Sequence, residues 1–268
     1  MKILSWFTLA LVTAFCLGPV AWQGVTSIKP DADLVRLPPL LPDSPTWQHY
    51  ANVTRSTLSH DVMNSAMVAG ATTALAVSIG ALCAFGLIRL PMRGKGVLLT
   101  LMMALSMFPP IAVVSPLYLL ARAMGLRDTL TALVLVHTTY ALPLAVWILT
   151  NFMKQIPVEL YWAARVDGCT PLRAFWSVLL PPARPGVAVA ALLVFIFSWN
   201  EFLFALTLTA TDRARTAPVA IALFPGLHEV PWGDMAAATL TVTAPVVLLT
   251  VIFQRYIVAG LTAGSVKG

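Results

Sequence analysis

Charge is what this sequence has least of. Asp, Glu, Lys and Arg make up 10% of its 268 residues, where a soluble domain carries about 25%. So few charges cannot cover a water-facing shell, which excludes a soluble enzyme. Cysteine is scarce too: Cys16, Cys83 and Cys169 form an odd, widely spaced set. That spacing supports neither a disulfide framework nor a metal site. No G-x-x-x-x-G-K-[ST] phosphate loop is present, since Gly94-Lys95-Gly96 lacks the preceding glycine and the hydroxyl. The chain therefore carries no ATPase of its own by that motif, and no catalytic residue is assigned. No intramembrane G-x-S-x-G supports a serine protease. Basic runs are missing as well, so the net charge of +6 does not point to nucleic acid.

Apolar residues are what the chain has in excess, at 59% with a mean hydropathy of +0.84. A helix needs about 20 of them in succession to cross a bilayer. Six stretches qualify: 3–27, 62–88, 97–120, 130–152, 186–208 and 235–258. The expectation is one all-α integral membrane domain over 1–268, with lipid as its outer solvent. The first stretch exceeds a signal-peptide core, and no small-residue cleavage site follows it. It reads as an uncleaved span. The bulky Phe15 before Cys16 argues against a lipid-anchored start.

Lys and Arg set the orientation. With the N-terminus inside, Lys2, Arg89, Arg93, Lys95, Lys154, Arg165, Arg173, Arg184, Arg255 and Lys267 all fall on the cytoplasmic side. Three of them crowd the short 89–96 loop. Both termini are then cytoplasmic, in the plasma or inner membrane. The proline-rich outer loop 28–61 reads as an extended cap.

Several spans contain breakers or polar groups. Pro109-Pro110 interrupts the third, Pro143 the fourth and Pro245 the sixth. The double proline fits either ordinary bundle packing or a broken helix beside a translocation path. Glu201 is the one acid inside a span, about 22 Å from its inner end. With its neighbour Asn200 it suits a polar lock between helices or subunits, or the path itself. His137 to Tyr140 give the fourth span a polar stretch without an acid of its own. Cavity lining or packing fits His137 and Tyr140 better than a proton relay. Trp47, Trp199 and Trp232 lie near span boundaries as candidate interfacial anchors.

The inner loop 153–185 is the most patterned segment. Pro157 suits the first turn of a helix, and Glu159 faces the positive end of its dipole. Leu160, Ala163 and Ala164 recur at helical spacing as one small apolar face. Asp167-Gly168 stops the helix, glycine taking the left-handed position. Thr170-Pro171 opens a second, amphipathic helix carrying Leu172, Phe175, Trp176 and Leu179. Pro181, Pro182 and Pro185 are expected to end it before the fifth span. The small face suits docking into a protein groove better than lying on lipid.

This loop resembles the EAA loop of ATP-binding-cassette (ABC) importer permeases. The family pattern is E-A-A-x-x-D-G-A, then F-x-x-I-x-L-P and a further proline. The chain offers Ala163-Ala164, Asp167-Gly168, Phe175, Val178, Leu180-Pro181 and Pro185 at matching spacing. Trp162 stands where the family has glutamate, and Cys169 where it has alanine, so the family's charge contact does not carry over to position 162. Glu159 is the nearest acid, one turn earlier. Phe195-Ile-Phe-Ser-Trp-Asn-Glu-Phe-Leu-Phe204 and the tail Gln254-Arg255-Tyr256 to Gly268 are similar to the carbohydrate, MalG-like branch.

The resemblance implies a type I permease fold and import of a sugar, a disaccharide such as trehalose. It implies a second permease, two ATPase subunits and an extracytoplasmic sugar-binding protein or lipoprotein as partners. ATP and magnesium would be used by the ATPases, and this chain would bind no cofactor. Glu159, Leu160, Ala163, Ala164, Asp167, Gly168, Phe175 and Pro181 would couple to the ATPases. The outer loop 209–234, with Arg213, Arg215, Pro225, Gly226 and Glu229, would meet the binding protein. The rival from residues alone is a stand-alone, ion-coupled secondary transporter, which leaves the inner loop unexplained. A structural membrane scaffold is a third class.

Overall fold

The computed structural model describes residues 2–34, 40–224 and 230–262. All regular structure in them is helical. Five helices are long and apolar enough to cross a bilayer: Leu4–Thr26, Leu58–Arg89, Leu130–Lys154, Pro171–Asn200 and Trp232–Arg255. A bent pair, Lys95–Ser106 and Pro110–Ala123, makes the sixth if it is one span.

In chain order the elements are α1 (Lys2–Thr26), α2 (Asp31–Leu34), α3 (Gln48–Arg55), α4 (Leu58–Arg89), α5 (Lys95–Ser106), α6 (Pro110–Ala123) and α7 (Leu130–Lys154). Then come α8 (Val158–Val166), α9 (Pro171–Ala174), α10 (Leu180–Asn200), α11 (Leu203–Leu208), α12 (Ala217–Ala222) and α13 (Trp232–Thr262). Helices α4, α7 and α10 form the heart of the bundle, with α13 packed on α10. Small residues make this possible, because they let backbones approach closely. Ala69, Ala76, Gly80 and Ala84 of α4 are buried along one stripe. A Cβ at Gly80 would stand 3.0 Å from the Cβ of Ala145. By contrast, α1 is exposed along nearly its whole length.

Five expectations need correction. The third span, 97–120, is not one straight helix: its two halves lie 89° apart. Pro110 forces Pro109 into an extended conformation, φ −59° and ψ 122°, and a new helix starts there. The second loop helix does not stop at its prolines. It passes from α9 through a π-helical turn, Phe175–Leu179, straight into α10. The π turn shifts the carbonyl ladder, so Pro181 and Pro182 fall in the first turn of the renewed helix. The fifth span ends at Asn200 rather than 208, because Glu201 is extended, with φ −68° and ψ 124°. Trp199 is 3% exposed and stacks on Phe195 inside the bundle, so it is no interfacial anchor. The loop before α4 also holds more order than an extended cap: α3 buries His49 and Val53 against the outer end of α13.

Candidate functional site

The loop between α7 and α10 is built from local rules. Thr170 Oγ1 accepts from the Arg173 N–H at 3.3 Å, and Pro171 follows at the first helical position. At the other helix end Gly168 has φ +82°. Cys169 N–H donates to the Ala164 carbonyl at 3.0 Å, and Gly168 N–H to that of Arg165 at 3.2 Å. These two bonds are the Schellman closure, which needs a left-handed residue at Gly168. Arg165 Nη1 also donates to the Cys169 carbonyl at 2.7 Å.

Aromatic packing bolts this unit to α4. Phe85 lies 5.2 Å from Phe175 and 6.0 Å from Tyr161, ring centre to ring centre. Phe175 is fully buried, and Ala174 and Leu179 with it. Arg89, the last residue of α4, donates through Nη2 to the Ile156 carbonyl at 2.6 Å. It thereby satisfies a carbonyl just past the end of α7.

The candidate coupling residues divide by this packing. Glu159, Leu160, Ala163, Asp167 and Gly168 are exposed. The outer face of α8 is mainly apolar: Trp162 is 58% exposed and Val166 87%. Ala164 departs from the expected three-residue stripe. It shares the inner face with Tyr161, three residues earlier, and is 5% exposed. Phe175 is equally internal and Pro181 is half-buried, so these residues hold the unit in place.

The intramembrane polar residues come together across helices. His137 is completely buried on α7. Its Nδ1 lies 2.8 Å from Ser198 Oγ, and its Nε2 lies 3.1 Å from Glu201 Oε2. The acid missing from the fourth span is thus supplied by the end of the fifth. Glu201 also accepts from Phe204 N–H at 2.9 Å and Ala205 N–H at 3.1 Å, capping α11. Asn200 points elsewhere and donates to its own helix at Ile196 O, 2.8 Å away. Tyr140 packs on Phe204 and lines a crevice of about 570 Å³ between α5, α6 and α7. Ser106, Thr139 and Tyr140 bring the only side-chain hydroxyls to its wall. It suits an apolar occupant.

The outer loop is pinned to α4. Asn64 Nδ2 donates to Arg215 O at 2.9 Å and Arg213 O at 3.3 Å. Ala217 N–H donates to Ser65 Oγ at 2.8 Å. Arg213 is exposed, while Arg215 pairs with Asp212 at 2.5 Å. Pro225, Gly226 and Glu229 lie outside the described residues.

One cluster at this end gave no signal in the sequence. His49 is 2% exposed, with Nδ1 2.6 Å from Asp234 Oδ1 and Nε2 2.8 Å from the Lys29 carbonyl. Both partners are acceptors, an arrangement that favours the doubly protonated ring. Burial works against that charge, but the Asp234 bond and the Lys29 carbonyl outweigh it and raise the pKa above 6.5. Asn52 Nδ2 steadies Asp234 at 3.1 Å. The ring lies directly over Gly233, where any side chain would collide with it. Among the described residues, no group of three acids, histidines or cysteines could hold a metal ion.

Comparison with known proteins agrees with this architecture. Residues 76–262 match the family described as binding-protein-dependent transport system inner membrane component. The chain is 45% identical to the trehalose transport permease SugB of Mycobacterium tuberculosis, covering 96% of this chain and 95% of that protein. It is 38% identical to the trehalose/maltose permease MalG of Thermococcus litoralis, over 96% and 94% of the two chains. It is 37% identical to the sulfoquinovosyl glycerol permease SmoH of Agrobacterium fabrum, over 100% and 94%. Its fold is that of a chain in the crystal structure of a bacterial ABC transporter importing alginate. The TM-score there is 0.82 at 20% identity, over 95% of both chains. Helix count, inner loop and relatives converge: this chain belongs to the binding-protein-dependent ABC transport permeases of the inner membrane.

Proposed function

We propose that the chain is the membrane-spanning subunit of an ATP-driven sugar importer, with a disaccharide such as trehalose as cargo. It forms the translocation path with a second permease. Two cytoplasmic ATPases and an extracytoplasmic sugar-binding protein complete the complex. ATP and magnesium are used by the ATPases, and this chain is a non-catalytic subunit. Both termini lie in the cytoplasm, on the side of α8. The relatives' cargoes supply the sugar class.

The observation that carries the coupling role is α8 itself. Its outer face is apolar and exposed, while its inner face is locked to α4 through Tyr161, Phe85 and Phe175. A helix held so firmly on one side transmits movement from whatever seats the other. Closure of the ATPases on ATP pulls α8, and the bundle follows. Such coupling requires that each ATPase state favour a different permease state. Nothing in the comparisons favours an ion-driven carrier.

The test is uptake by the reconstituted complex. Gly168→Pro cannot take φ +82°, since proline is fixed near −65°. The helix closure is lost while the bundle inserts normally. Uptake is expected to fall to background with the chain still present in the membrane. Wild-type uptake in that variant overturns the coupling role.

A further inference from the structure

Five aromatic rings touch in series at the inner end of the bundle. Trp162 packs edge-on against Tyr161, ring centres 5.2 Å apart. Tyr161 lies 6.0 Å from Phe85 of α4, and Phe85 lies 5.2 Å from Phe175. Phe175 meets Trp176 at 5.0 Å. The three middle rings are buried, while the indoles at the two ends are exposed.

Trp162 also has apolar neighbours on the surface of α8. Val158, Trp162 and Val166 recur four residues apart, so they form one ridge along the helix. They are 43%, 58% and 87% exposed. A ridge of this kind on a helix fits a groove in another protein. Lipid is the other apolar surface within reach, but the charges disagree with it. A helix lying on a membrane shows a basic polar face. The unit from α8 to its glycine turn carries Glu159 and Asp167 against Arg165 alone. Arg165 is turned to the Cys169 carbonyl, 2.7 Å away. An anionic inner leaflet attracts basic segments and repels one of this charge.

We propose that Trp162 is the anchor of the ATPase interface, its indole seated in an apolar pocket of the ATPase. The proposal rests on the coupling role of α8. An anchor needs a large contact area and little side-chain freedom to lose. Trp162 has both, because Tyr161 already holds its ring. Load on the indole then passes through Tyr161 to Phe85, and so to α4.

The test measures binding of the purified ATPase to this chain with its co-expressed permease partner, in nanodiscs and in detergent. Trp162→Ala is expected to raise the dissociation constant about thirtyfold in both, the scale of an interface hot spot. Trp162→Phe keeps a ring and should recover most of the affinity. Trp162→Glu should bind no better than the alanine variant. Wild-type affinity in Trp162→Ala overturns the anchor, and so does tight binding by Trp162→Glu, which would mean a basic pocket. A loss seen only in nanodiscs would make Trp162 a lipid anchor and overturns the proposal too. So does a matching fall in the unfolding midpoint of the permease pair alone, which would make the residue structural. Gly168→Pro separates this proposal from the coupling role. If that variant binds ATPase and supports uptake as the wild type does, the coupling role itself fails. If it loses both while Trp162→Ala binds normally, only the anchor fails.

Discussion

The two ends of α4 are held by different physics. At the inner end Ala84 and Phe85 pack on Phe175, Tyr161 and Ala164, and Arg89 reaches the carbonyl of Ile156. At the outer end Asp61, Asn64 and Ser65 are buried polar residues, and the last two grip the backbone of the 212–217 loop. The inner end is a mainly apolar joint. The outer end is a set of polar latches that includes charged groups. The proposed coupling role draws on the first kind of end and the proposed binding-protein contact on the second.

The comparison breaks first if the inner joint is weak. Phe175→Ala removes a fully buried ring that touches α4. Such truncations cost about 3–5 kcal/mol. The thermal unfolding midpoint of the purified chain should fall more for this change than for any outer-end substitution. Its pH dependence should stay that of the wild type. A smaller loss than that from an outer latch would mean that the aromatic joint is not the anchor.

Asp234→Asn probes the outer latch and is expected to cost about 1–3 kcal/mol, since it takes the carboxylate from a buried imidazole that it holds at 2.6 Å. The sign of the pH effect follows from the raised pKa of His49. Its stabilisation is complete below 6.5, the ordinary value, and is lost as pH rises through the raised value. Wild-type unfolding midpoints should therefore drop as pH rises through that raised value. The Asn variant should lose that slope. An identical slope in both would place the titration elsewhere and erase the contrast between the ends.

The inner end was the readable one, for a physical reason. Gly168 and Thr170 act on groups within five residues, so their spacing in the sequence is their geometry. The π turn at Phe175–Leu179 was hidden because prolines argue locally for a break. The buried packing of Phe175, Leu179 and Ala183 overrides that preference. Where packing is thin the local rule wins: at Pro109-Pro110 the flanking Met107 and Phe108 are exposed, and the chain does bend. His137 was singled out without its acid, because Glu201 lies 64 positions on and reaches it only through the fold. His49 and Asp234 are 185 positions apart. No local spacing joins them, and only the fold brings the pair together.

The smallest expected effect refines the outer end further. Asp128 has φ +59°, and its carboxylate accepts from Ala210 N–H at 2.8 Å and from Thr211 N–H at 3.1 Å. Thr211 Oγ1 adds a third bond at 2.6 Å. Partial burial opposes the charge, but these bonds and nearby Arg213 hold the carboxyl below its ordinary 3.8. Its stabilisation is therefore complete above 3.8 and is lost as pH falls through the lowered value. Asparagine tolerates the left-handed conformation and keeps one acceptor oxygen, so Asp128→Asn removes the charge and little else. The neutral-pH cost should be about 1 kcal/mol or less, given how open the site is to solvent. Unfolding midpoints measured from pH 6 down to pH 3 should fall less steeply for the variant, and the two curves should converge at the acid limit. Parallel curves would show that Asp128 acts by shape alone. The outer end would then owe its charge sensitivity to the His49 latch and not to this staple between the α6–α7 turn and the loop after α11.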